Sequence, residues 1–303
     1  MELPYQPSDV ECKDALCELL KTSWLKLLQD YYDIFHGPYV MDANYLATMP
    51  LDERMAYIFN PEANIARVNS LLDVVKILPV SPELKAITDE ITPQVAKIKA
   101  YVDALEGQLI QELDALDNPY QSIMPDVSPL PEQFYQPSPI HCQDPLCQKL
   151  YAAWQELLQA YYTALGGPYY MTEAYLAIVS LPQAYRLITD VYIAVQKIQA
   201  ILDIAALLPQ RSPELEALID EVTPQVASID SEEDEWYGYI SHSVLRITRP
   251  EEWLKGQWPT LDYLARPLIE RPTRGPILGG QRVYGPFEQY IPVMAPILPL
   301  PLP

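Results

Sequence analysis

At 303 residues, with 49% apolar and 20% charged side chains, the chain has the length for two domains and an extension, and the composition of a globular protein. A formal net charge of −21 excludes a nucleic-acid grip, which needs clustered Lys and Arg to neutralise phosphates. No run of about 18 uncharged apolar residues offers a membrane span, and Met1-Glu2-Leu3-Pro4-Tyr5 has neither the basic start nor the apolar stretch of a secretory signal, so the expected location is the cytoplasm or a virion.

The first element runs from an extended lead-in, Tyr5-Gln6-Pro7-Ser8, into a predicted helix. On it Leu16, Leu20, Trp24, Leu27, Leu28, Tyr31 and Phe35 recur at three- and four-residue steps and make one apolar face. Gly37-Pro38 stops this helix, and a short one follows around Tyr45. In the next long helix Asn60-Pro61 predicts a break or kink, because proline lacks the N–H donor and crowds the preceding turn. A third helix starts at Ser81 with Pro82 in its first position, is capped anew at Thr92-Pro93, and continues through Val102, Leu105, Leu109 and Leu113. Residues 1–117 form the first module. Residues 118–134 follow as a linker stiffened by Pro119, Pro125, Pro129 and Pro131.

About 130 residues on, the same words return. Tyr135-Gln136-Pro137-Ser138 leads to Asp144-Pro145, an N-cap and first-turn proline, and then to Leu146, Leu150, Trp154, Leu157, Leu158 and Tyr161. Gly167-Pro168, Tyr175, Ser212-Pro213 and Thr223-Pro224 repeat the punctuation of the first copy, with one inserted residue at Gln210-Arg211. The long helix between Pro182 and Pro209 is uninterrupted here and carries Leu187, Val191, Val195, Ile198 and Leu202. This is a tandem duplication, and residues 135–230 form the second module.

After Ile229 the acidic run Asp230 to Glu235 marks a solvated boundary, and the last helix of the first module has no evident counterpart. Aromatic and β-branched residues over 236–248 read as a short β segment. From Pro250 to Pro303 there are eleven prolines, so the apolar side chains of the tail have no regular face to bury on their own chain. Seven basic residues against five acidic ones from Trp236 onward also set a mildly basic tail beside an acidic body. Residues 231–303 are therefore expected to be an extended arm that docks in a groove of a neighbouring subunit. The fold class is all-α: two tandem duplicated modules of three to four helices, then a proline-rich C-terminal arm.

The cysteines fall in two pairs, Cys12 with Cys17 and Cys142 with Cys147, each either buried thiols or a short-loop disulfide. Cys-x4-Cys is an unusual zinc spacing, and the three histidines, His36, His141 and His242, have no ligand spacing either, so no metal is expected. No nucleophile elbow, phosphate loop or His-Glu-x-x-His appears; the expectation is no catalytic residue and no cofactor. The 22 tyrosines are unusual and suit protein interfaces, with large contact area and a polar tip. Interface candidates are Tyr32, Tyr39, Tyr162, Tyr169, Tyr170 and Tyr290, with Ile291, Ile297, Leu298, Leu300 and Leu302 in the arm. The expected function is non-catalytic: an oligomeric assembly component, of a virus particle or similar structure, whose partners are other protein subunits. The alternative is a cytoplasmic acidic adaptor or inhibitor of a basic protein.

Overall fold

The computed structural model describes residues 5–34, 49–116, 140–164 and 180–252, except the side chains at 232–236 and 239. Among these residues there are six helices and no strand. They are α1 (Ala15–Ile34), α2 (Leu51–Val75), α3 (Pro82–Asp114), α4 (Pro145–Ala164), α5 (Leu181–Leu207) and α6 (Pro213–Thr248). None is long and apolar enough to cross a membrane. Residues Met1–Pro250 make one compact unit and Glu251–Pro303 another, nearly all of which, with the linker 118–134, lies outside the described residues.

Each repeat ties its first helix to its third through the caps. The Asp14 carboxylate accepts from the Cys17 backbone N–H at 2.8 Å, closing the first turn of α1, and its other oxygen accepts from the Ser81 hydroxyl at 2.6 Å. Ser81 in turn caps α3 by accepting from the Leu84 N–H at 3.0 Å. Desolvation works the other way, yet the bonds from Ser81, Cys17 and Leu16 hold the Asp14 carboxyl below its usual range. The second copy repeats the device: Asp144 caps α4 through the Leu146 and Cys147 N–H groups, both at 2.9 Å, and accepts from Ser212, which caps α6.

α2 and α5 sit side by side at the centre, with α1 and α3 packed on α2, and α4 and α6 on α5. The two central helices run in the same sense, because Arg67 pairs with Asp203, the Ser70 hydroxyl donates to the Lys197 carbonyl at 3.0 Å, and Phe59 stacks on Tyr192. Cross-contacts follow an exchange symmetry: α3 reaches α5 on one face and α6 reaches α2 on the other. A single apolar core runs through both repeats, with Trp24, Trp154, Met55, Leu71, Ile198 and Ile91 fully enclosed. The periodic faces of the first and fourth helices supply their share, Leu20, Trp24 and Leu27 matching Leu150, Trp154 and Leu157.

Three expectations are corrected. Pro61 does not break α2; the helix runs through it, with Phe59, Pro61, Glu62 and Ala63 all buried. Burial on most sides of a central helix outweighs the few kcal/mol (about 3) that an interior proline costs, and the buried Asn64 amide donates to the Asn60 carbonyl at 3.2 Å in the same turn. Nor does Thr92-Pro93 restart α3. The Thr92 hydroxyl donates back to the Thr88 carbonyl at 2.6 Å and the Gln94 amide to the Glu90 carbonyl at 3.0 Å, and Gln225 does the same for Glu221 in α6.

The third correction concerns 236–248, which are helix, not β; the second repeat therefore continues past 230 to Thr248. An acidic run free of Gly and Pro gives a helix no reason to stop. Beyond it Ile240 and Val244 are buried at four-residue spacing, in the places that Leu109 and Leu113 hold in α3.

Candidate functional site: an acidic cleft between the repeats

The expected thiol pairs are bonded in the structure. Cys12–Cys17 and Cys142–Cys147 are disulfides with Cα–Cα separations of 5.4 and 5.3 Å, each tying a lead-in segment to the first turn of its helix. Tyr32 turns inward: its hydroxyl accepts from the Tyr5 N–H at 3.1 Å and donates to the Tyr5 carbonyl, and burial pushes its phenol up. The rings of Tyr5, Tyr32 and Tyr101 each meet the Tyr31 ring edge to face. Tyr162 is half-buried, edge-on to Tyr161 at 5.5 Å. Tyr39, Tyr169, Tyr170, Tyr290, Ile291, Ile297, Leu298, Leu300 and Leu302 lie outside the described residues.

Where α3 and α4 flank one face of the α2–α5 pair, a cleft of about 480 Å³ opens. Six carboxyls line it, Glu62 and Asp73 from α2, Asp103 and Glu106 from α3, Glu156 from α4 and Asp190 from α5, against three ammonium groups, Lys99, Lys149 and Lys197. Several of these charges are already matched. Lys99 reaches both oxygens of Asp103 at 2.7 Å, Lys197 pairs with Glu156, and Lys76 holds Asp73 at 2.7 Å.

Glu62 differs from the rest in depth, being 7% exposed. Burial first, and then the nearby Glu106 and Asp103, push its carboxyl up to about 9, with Lys99 acting against them. It therefore keeps its proton at neutral pH and donates to Glu106, whose own carboxyl is raised by burial and eased downward by that bond and by Arg186. The second oxygen of Glu62, Oε2, is buried without a hydrogen-bond partner. Asp190 is also raised by burial, against the pull of Lys197 and Arg186. Behind them the Tyr185 phenol, 1% exposed, is pushed well up by burial and by Glu62, Tyr237 and Glu106.

The duplication supplies an internal comparison. Glu62, Glu106 and Thr189 correspond in the repeat alignment to Tyr192, Tyr237 and Phe59. On the other face of the α2–α5 pair those three rings close together: Phe59 stacks on Tyr192 at 4.3 Å and meets Tyr237 at 4.4 Å. One half of the molecule thus fills with aromatics the place where the other keeps a carboxyl pair and a cleft. None of the cleft residues was singled out from the sequence. The signal was there, as a swap of acid for aromatic at otherwise matched positions, with Gly107 and Gly238 keeping the register between Glu106 and Tyr237.

Among the described residues, fold and site together define an all-α pair of helical repeats with an asymmetric cleft. Compared with known protein families, characterised proteins and solved structures, it matches none.

Proposed function

We propose that this chain is a non-catalytic assembly protein, a rigid helical body that holds other protein subunits, as in a virus particle or a comparable large assembly. What supports this reading best is the use made of the duplication: two repeats close on one core, so related outer surfaces are held in a fixed relation. Ile77 and Leu207, exposed at 37% and 42%, occupy matching positions just where α2 and α5 end. Paired apolar spots on an acidic body suit two neighbours of one kind.

Sedimentation of the full chain, of Ile77→Glu/Leu207→Glu and of a chain ending at residue 252 tests the reading. The full chain is expected to form higher-order particles, with both altered chains falling back to single copies of unchanged helical content. A full chain that stays single at high concentration overturns self-assembly. A second reading, an acidic adaptor for a basic protein, is favoured by the charge of −21; it expects partner binding to survive the loss of residues 253–303.

A further inference from the structure

We infer that the cleft between α2, α3, α4 and α5 is a binding site for a small aliphatic amine, its ammonium group held between Glu62 and Glu106 and its methylenes lying on Ile65, Ala66 and Ile193. A cluster of acids alone is a solvated surface, but this one has a floor. Glu62 lines the cleft, is 7% exposed, and leaves Oε2 without a partner. A buried oxygen of that kind costs stability unless a donor reaches it.

The fold does not demand the arrangement, since the corresponding positions on the other face are closed by Phe59, Tyr192 and Tyr237. An acid-floored cleft kept in one repeat, where the other packs three rings at the matching positions, is the pattern expected of a ligand site.

The charges around it select the ligand class. With Lys99 on Asp103, Lys197 on Glu156 and Lys76 on Asp73, the carboxyls left at the floor are Glu62, Glu106 and Asp190, facing Arg186 from α5 and Lys149 from α4. In the free protein the proton on Glu62 stands in for a missing positive charge. An arriving ammonium replaces it: Glu62 gives its proton to solvent and its carboxylate accepts from the N–H groups of the amine. Among the described residues no three carboxylate, histidine or cysteine groups converge to hold a metal ion, whereas an ammonium needs only two acceptors and apolar wall for its chain. A volume of about 480 Å³ suits a small molecule, and the net charge of −21 draws cations from a distance.

Isothermal titration of the full chain with cadaverine, in phosphate and in HEPES at neutral pH, provides the test. The expected result is one saturable site that releases close to one proton per amine and tightens as pH rises from 6 toward 9, with 1,5-pentanediol giving no heat. Glu62→Gln is expected to weaken binding at least tenfold and to abolish the proton release. Thr189→Phe, which copies Phe59 of the other repeat, is expected to block the cleft with helical content unchanged. No saturable heat at millimolar cadaverine, equal binding of the diol, or unchanged affinity and proton count in both variants would each overturn the proposal.

Discussion

Glu62 is the residue whose chemistry departs furthest from its sequence context. A carboxyl that titrates near 4.5 in an unfolded chain and near 9 in the folded one binds its proton more tightly when folded. The stability that this one group contributes is therefore present in full below about pH 4.5 and is lost as pH climbs from there toward 9. Glu62→Gln keeps the shape and removes the titration. Measured against the parent, its stability should gain ~2 kcal/mol at neutral pH and little or nothing at pH 4. A difference between variant and parent that does not grow across this window would show that the carboxyl is not buried as described. At the same scale the lead-in residues were legible: Trp24 and Trp154 are enclosed, and Asp144 caps as its spacing predicts. The tyrosine hydroxyl of Tyr32 was not, because nothing in a Tyr-Tyr pair says that one of them reaches back to Tyr5.

Among the elements, helices with regular apolar spacing could be read directly, and those whose continuity depends on packing could not. Pro61, Pro93 and Pro224 are all interior to helices, where local rules place breaks. The packing of α2 in the centre, and side-chain bonds from Thr92, Gln94 and Gln225 to the preceding turn, supply what those rules omit. The end of α6 was misread for a different reason. Its aromatic and β-branched residues have strand propensity, but only the position of Ile240 and Val244 against the core decides the period. Gly238 gives a direct check: an added methyl meets nothing within 4 Å, and the backbone there is helical. Gly238→Ala should raise stability by about 1 kcal/mol, measured as a shift in denaturant midpoint. A loss of stability on this substitution would show that residue 238 does not hold an open helical position.

For the whole molecule, the continuity of the core across α2 and α5 predicts cooperative behaviour. Trp24 lies in one repeat and Trp154 in the other, so variants that keep one or the other as the single tryptophan of the five should report one common unfolding transition by fluorescence, coincident with loss of helical circular dichroism. Two separated transitions would mean that the repeats are independent bodies. Residues 1–117 alone should be poorly folded, or should pair with themselves, because the exposed flank of α2 would lack its neighbour. The duplication was plain from the sequence, yet the sharing of one core was not: matching words show that two copies exist, and only the facing surfaces of α2 and α5 show that neither closes without the other.

Side-by-side central helices running in one sense are what two identical chains form when they meet about a twofold axis lying along those helices. An ancestor of that sort would have had two equal hollows, and any change in one would have appeared at once in its twin. A single polypeptide is free of that constraint, so Phe59, Tyr192 and Tyr237 can stiffen one flank while Glu62 and Glu106 keep the other polar.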